Sequence, residues 1–347
     1  MLSPAERLSY LARQGARVAW YMGHYFASAR FRAQPDSEVE EDRPRRPGPS
    51  RETVLSEMGR LFARDLANVE RGYYPMPRDH DGDLRHAIAT SQRYFADLPI
   101  VAERRGSERA HEIASEQPEA PAEYPDYFLQ NFHYQTGGYL TEQSAKLYDM
   151  QVEVLFSGTA NAMRRQCLVP IAKFLRGKDQ RQLKLLDAAC GTGRFLRAVK
   201  EAFPRLAVTG SDLSAAYLEE ARRHAKPYTI ATEAAAAEAL PFADASFDIV
   251  TSIYLFHEVP PEIRRAIARE FARVLKPQGL LVFMDSLQLG DKPGYDGLLE
   301  AFPSNFHEPY YASYIAEDLR ALFTAAGLEV TGAEPVFLSK MVVGRKV

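Results

Sequence analysis

Cysteine is nearly absent: Cys167 and Cys190 are the two in 347 residues, far apart and without the paired spacing of a zinc site. That argues against a disulfide framework and a structural metal, and it fits a reducing cytoplasm. No run of about 18 apolar residues occurs, so no membrane-spanning helix is expected. Glu6, Arg7, Arg13 and Arg17 break up the first apolar stretches, and no signal-peptide pattern is read there. An excess of one charge is missing too. The 43 Lys+Arg against 46 Asp+Glu leave a formal net charge of −3, so no global basic field draws the chain to nucleic acid or anionic lipid. Lysine does not occur before Lys146 although arginine is frequent, a break in composition between the halves. What remains is globular in character, 46% hydrophobic and 26% charged, with length for one large domain or two ordinary ones.

Residues 1–33 read as an N-terminal amphipathic helix. Ser3 can cap it, Pro4 suits its first turn, Glu6 completes a capping box, and Leu8, Leu11, Val18, Met22 and Phe26 recur at helical spacing. Trp20, Tyr21, Tyr25 and Phe26 beside Arg13, Arg17, Arg30 and Arg32 are also compatible with peripheral membrane contact, the alternatives being packing on the chain's own domain or on a second subunit in a homo-oligomer. Residues 34–50, with four prolines and eight charges, read as a linker. The segment 51–144 is expected to be a helical cap region. In it Val54, Leu55, Met58, Leu61, Phe62, Leu66 and Val69 form one stripe, and 104–125 make an exposed connection. On this division, residues 1–50 are expected to be dispensable for cofactor binding.

From about residue 183, short apolar runs alternate with amphipathic stretches, the pattern of an α/β fold with a parallel sheet. Strands are expected near 183–188, 206–211, 228–232, 247–253, 279–285, 328–333 and 336–345, and helices near 193–203, 214–225, 261–275 and 314–326. The stretch LKLLDAACGTGRFL runs from strand through a glycine-bearing turn into a helix, where backbone N–H groups are free to meet a ligand. Asp212 ends the next strand, nineteen residues after Gly193, where an acid can accept both hydroxyls of a ribose. A dinucleotide fingerprint needs a third glycine where this chain has Leu196, which weakens a dehydrogenase reading.

LLDAACGTGRFL, GSDLS, AEALPFADASFDIVTS and ARVLKPQGLLVF resemble, in order and spacing, the successive motifs of class I S-adenosylmethionine (SAM)-dependent methyltransferases, with the ubiquinone and menaquinone biosynthesis C-methyltransferases closest in flavour. The resemblance covers residues 145–347. It implies a Rossmann-like seven-stranded sheet, helices on both faces and an antiparallel last strand, preceded by the helical N-terminal region, and it implies SAM as cofactor. Carried over by residue, Asp187, Ala189, Gly191 and Gly193 would line the methionine side, Asp212 the ribose and Leu213 the adenine. Glu238 and Ala239 stand in for an acid that Ala235, Ala236 and Ala237 do not supply, and Ser252 lies beside the methionine portion. Ala189 replaces a frequent glycine.

The acceptor wall is expected beyond the fourth strand, where His257 could act as a base or be only part of a turn. The segment SNFHEPYYASY, with His307, Glu308, Tyr310 and Tyr311, reads either as a substrate lid or as an ordered connection. His133, Tyr134, Tyr139 and Tyr148, just before the core, together with Tyr254, complete the candidate substrate contacts. His257 and His307 are the candidate catalytic residues, and no metal ligands are assigned. The expected function is methyl transfer to a small molecule through O, N, S or C, the alternative being a SAM-binding protein without catalysis. The charge balance, and Ser252-Ile253-Tyr254-Leu255 where an Asn-Pro-Pro-Tyr type motif would stand, disfavour a nucleic-acid substrate.

Overall fold

The computed structural model describes residues 2–32, 46–79, 82–105 and 124–347, so most of the 34–50 linker and of the 104–125 connection lies outside the described residues. The strands are β1 (Lys184–Ala188), β2 (Ala207–Asp212), β3 (Ala231–Ala234), β4 (Phe247–Ile253), β5 (Leu275–Ser286), β6 (Leu328–Val336) and β7 (Ser339–Lys346). They form one sheet in the order β3-β2-β1-β4-β5-β7-β6, parallel except for β7, which runs antiparallel to both neighbours. Chain direction across the sheet reverses between β1 and β4, the place where open parallel sheets leave a crevice at their carboxyl ends.

The helices are α1 (Pro4–Ala27), α2 (Ala29–Arg32), α3 (Arg51–Glu70), α4 (Leu84–Arg105), α5 (Glu142–Leu155), α6 (Ala160–Gln166) and α7 (Leu168–Leu175) before the sheet. Within it come α8 (Arg194–Ala202), α9 (Ala215–Ala225), α10 (Pro261–Val274), α11 (Asp296–Asn305), α12 (Tyr311–Ile315) and α13 (Leu319–Ala325). Alternate strand residues feed two cores. Leu186, Val250, Leu281 and Phe283 face Ile267 and Phe271 of α10 and Phe323 of α13. Leu185, Ile249, Leu280 and Val282 face α7, α8 and also α3, through Met58, Leu61 and Phe62, with Tyr10 of α1 in the same cluster.

Six of the eleven expected elements lie within a residue or two of their expected bounds; β5 begins at Leu275 rather than 279, where Leu275 pairs with Phe247, and the turn between β6 and β7 lies three residues later than expected, after the pair of Val336 with Ser339. β3 starts at Ala231 because Tyr228 N–H bonds Ala225 O and prolongs the turn after α9. The helix expected at 314–326 is two, since Asp318 accepts from Ala321 N at 3.0 Å and caps a fresh start. Helix α11 was not expected; its interior Pro303 disguised it.

α1 has the expected capping box, with Ser3 N–H donating to Glu6 Oε2 at 2.7 Å. Its buried face, however, is rotated away from the expected stripe, of which Val18 and Met22 stay half-buried. Tyr10, Gln14, Arg17, Tyr21 and His24 point inward, while Leu8, Leu11 and Phe26 are exposed at 68%, 52% and 57%. Hydrogen bonds decide this. Tyr10 OH donates to Asp65 Oδ2 at 2.6 Å, Gln14 Nε2 to Asp79 Oδ2 at 2.7 Å, and Arg17 lies 3.0 Å from buried Glu153. Arg165 of α6 joins Asp65 (2.7 Å) and Asp79 into the same seam. The inward side of α1 thus contacts the chain's own fold rather than standing free of it. Among the described residues, no helix is long and apolar enough to cross a membrane.

Candidate active site

The turn after β1 is built for close approach. Ala189, Gly191 and Gly193 all have positive φ, at 56°, 53° and 75°. A Cβ at Gly193 would come within 2.8 Å of the Ala221 backbone, so α8 and α9 can meet there only through a glycine. Leu196 packs on Gly210, where a Cβ would lie 2.7 Å from its Cδ1, so the strand supplies the space that a third glycine in the turn would have given. Asp212 holds the loop from below: Gly191 N–H donates to its Oδ2 and Ser214 N–H to its Oδ1, each at 2.9 Å. Asp149 of α5 holds it from above, accepting from Thr192 Oγ1 and Arg194 Nε, both at 2.7 Å. Burial alone would raise the Asp149 pKa, but Arg194, His224 and these bonds outweigh it and pull it down to about 2.

Over this loop and the ends of β1, β2 and β4 opens a cleft with about 980 Å³ of empty space, the open solvent at its mouth included. Asp187, Ala189, Gly191, Asp212, Leu213 and Glu238 line it, together with Tyr139, Tyr148, Tyr254 and Glu258. Its roof is the segment before α5, including Tyr127, Phe128 and Phe132. Tyr127 OH donates to Glu238 Oε1 at 2.5 Å, while the buried Glu238 Oε2 has no hydrogen-bond partner. Asp187 accepts from Thr251 Oγ1 at 2.6 Å, and burial pushes its carboxyl up to about 7.

Several residues named from the sequence stand outside this lining. Gly193 faces α9, Ala239 donates its N–H to Ala236 O, and Ser252 is fully buried in β4. His307 meets Gln130 Oε1 at 3.2 Å, and its ring neighbours that of Tyr134. Tyr310 gives its carbonyl to Arg264, and the Tyr311 hydroxyl meets Ser286 Oγ at 2.7 Å. Glu308, buried, pairs with His133 Nε2 at 2.7 Å. His257 sits behind the wall, its Nδ1 2.5 Å from Asp285 Oδ1 and its Nε2 3.7 Å from Glu258 Oε1.

Residues 185–279 match the family model described as a methyltransferase domain. A ubiquinone/menaquinone biosynthesis C-methyltransferase of Desulfotalea psychrophila is 33% identical over 139 residues, 40% of this chain and 53% of that protein. Demethylmenaquinone methyltransferase of Thermotoga maritima is 30% identical over 182 residues, covering 52% of this chain and 75% of that protein. The chain belongs to the class I SAM-dependent methyltransferases. A further relative of this methyltransferase, 27-O-demethylrifamycin SV methyltransferase of Amycolatopsis mediterranei, is 33% identical over 161 residues, 44% of this chain and 56% of that protein. The chain thus spans between about half and three quarters of the length of these relatives.

The cleft of this methyltransferase fits SAM on its own chemistry. A buried carboxyl at Asp187, raised by desolvation, is suited to a cationic ligand, and the unpartnered Glu238 Oε2 can accept from an exocyclic amine. Three contributors escaped the sequence reading. Arg164 of α6 lines the cleft, nearly buried, bonded to Asn161 Oδ1 at 3.2 Å and lying over the Tyr254 ring; in MRRQC it reads only as an interior helical arginine. Asp285 closes β5, where the apolar run LLVFM gives no sign of it. Tyr127 lies in an aromatic stretch whose one legible signal was the density of rings.

Proposed function

We infer that this enzyme transfers the methyl group of SAM to a small molecule held in the same cleft. The observation that carries this is one cavity whose lining combines Asp212, Gly191 and Leu213, suited to a nucleotide, with the aromatic residues Phe128, Phe132, Tyr139, Tyr148 and Tyr254 and the ionisable Glu258 and Arg164. Bound there, SAM supplies a methyl group already activated by a sulfonium. The chain's own part is then to hold an acceptor atom about 3 to 3.5 Å from that group and in line with it. We assign Asp187, Gly191, Asp212, Leu213 and Glu238 to the cofactor, and Phe128, Phe132, Tyr139, Tyr148 and Tyr254 to the acceptor's apolar body. The relatives support a ring-bearing acceptor: two are named for quinone biosynthesis or menaquinone, and the third for a rifamycin.

The test is to incubate the purified protein with SAM and fractionated cell extract, following S-adenosylhomocysteine and any metabolite that gains the mass of one methylene. Formation of both is the expected result. A protein that binds SAM yet forms no S-adenosylhomocysteine with any fraction would be a binding protein instead.

Neither thiol takes part in this chemistry. Cys167 is fully buried and Cys190, although part of the loop that lines the cleft, packs its Sγ toward Gly210, and burial holds both thiols well above their ordinary range. The double variant Cys167→Ser/Cys190→Ser is expected to keep turnover within a few-fold. Its loss in a folded, SAM-binding variant would make a thiol essential.

A further inference from the structure

We propose that Glu258 is the group that takes the acceptor's proton, and that His257, fixed between Asp285 and Glu258, is a positioning cation and not the base. This rests on the reading that the acceptor occupies the cleft. The two residues follow each other in a short 3-10 turn, Phe256–Glu258, yet face different surroundings. Glu258 is part of the cleft wall, and its Oε1 accepts from Tyr139 OH at 2.6 Å, which orients the carboxylate. His257 has no place in that wall. Its ring lies among those of Tyr254, Tyr311 and Tyr314, at centroid distances of 6.5, 6.1 and 6.2 Å.

Both nitrogens of the His257 ring face carboxylate oxygens, Asp285 at 2.5 Å and Glu258 at 3.7 Å. An acceptor nitrogen turned to Asp285 would set lone pair against lone pair, so Nδ1 carries a proton and donates there; an imidazolium also turns its second N–H, at charge-pair rather than hydrogen-bond distance, toward Glu258. Asp285 cannot turn away. It is fully buried, and it also accepts from Phe256 N–H and Ser286 N–H, each at 2.7 Å.

The electrostatics agree with this geometry. Burial pulls the His257 pKa down, but the charge and hydrogen bond of Asp285, with Glu258 and Glu308 behind them, raise it to about 10. Burial pushes Glu258 up to about 7; Glu308 adds to the rise, while His257, the Tyr139 hydrogen bond and His133 oppose it. Tyr148, another wall residue, has its own hydroxyl pushed up by burial and by Glu258. At neutral pH the wall thus offers a carboxylate able to accept a proton, with a fixed cation behind it.

In the step assigned, the acceptor atom forms a bond to the methyl carbon as the carbon–sulfur bond breaks. Sulfur keeps that electron pair and becomes a neutral thioether, and the acceptor's proton passes to the Glu258 carboxylate and from there to water.

The test uses the full chain with SAM and, as probe, the extract fraction in which the wild-type protein forms S-adenosylhomocysteine. Glu258→Gln is expected to lose about 10²- to 10⁴-fold in turnover, with S-adenosylhomocysteine affinity by calorimetry unchanged within about threefold. Wild-type turnover should rise with pH through about 7, where Glu258 loses its proton, and the residual rate of Glu258→Gln should be flat. His257→Gln should keep the rising limb but move it to higher pH, because the cation that favours ionised Glu258 has gone. In the ligand-free protein, NMR should find the His257 ring still protonated at about pH 8. A neutral ring there, or a His257→Gln variant that loses the limb while Glu258→Gln keeps it, makes His257 the base and overturns the proposal. If no fraction yields S-adenosylhomocysteine with the wild type, methyl transfer itself falls, and this assignment with it.

Discussion

Asp212→Ala is expected to weaken SAM and S-adenosylhomocysteine binding by about 2 to 4 kcal/mol, the loss of two hydrogen bonds to a charged acceptor. The effect has two parts. Each oxygen of Asp212 already accepts one backbone N–H, from Gly191 and from Ser214, so the side chain shapes the loop before any ligand arrives. Each oxygen also keeps a lone pair for a ribose hydroxyl at the cleft edge. Asp212→Asn separates the parts: it keeps the bulk and one acceptor but turns the other into a donor. Calorimetry should therefore place it between wild type and Asp212→Ala. Unchanged affinity in the alanine variant would sink the ribose assignment.

Deleting residues 1–49 is expected to cost the protein its cofactor binding through loss of the fold, contrary to the dispensability read from the linker. The deletion removes Tyr10 from Asp65, Gln14 from Asp79 and Arg17 from Glu153 and uncovers the buried seam, although Arg165 stays with Asp65 and Asp79 and Asn161 N–H with Glu153. Arg17→Ala alone is expected to destabilise by about 1 to 3 kcal/mol, less than for a fully stranded buried charge because Arg164 lies 4.0 Å from Glu153 and Asn161 N–H still donates to it. Glu153 is 2% exposed, so water cannot replace the guanidinium. The strain would spread toward the cleft, because Glu153 Oε1 also accepts from Asn161 N–H, and Asn161 holds Arg164. Thermal melting of the truncated chain beginning at Ser50, followed by titration with S-adenosylhomocysteine, checks this. A cooperative transition near that of the full chain with intact affinity would show that α1 only decorates the fold.

The glycine turn, Asp212 and the central strands were legible because each depends on local chemistry: a positive φ, a strand end, a run of residues buried on both faces. The orientation of α1 was not. Its inward positions are polar or aromatic, and the groups that draw them in stand far along the chain at Asp65, Asp79 and Glu153, where helical periodicity cannot see them. The aromatic residues of α1 that suggested a lipid or subunit contact divide accordingly: Tyr21 is buried, while Trp20 and Tyr25 are each 38% exposed. The site shows the same limit. His257 and Glu258 are adjacent in sequence, and only His257 was a candidate there; the position of Asp285 on β5, which holds the His257 ring behind the wall, separates their surroundings. His307 looked as promising as His257, but the loop that carries it turns toward Gln130.

The two walls of the cleft come from stretches of chain with separate duties. The strand ends and the glycine turn form the floor, and they are bound by the backbone geometry described for Ala189, Gly191 and Gly193. Phe128 and Phe132 in the roof precede α5 and take no part in the sheet. Divergence, natural or in a laboratory library, can therefore exchange Phe128 and Phe132 without touching the sheet, whereas Tyr127 is tied to the floor through Glu238. Selectivity is the trait this architecture leaves free to drift, while the turn below it is held to a narrow set of residues.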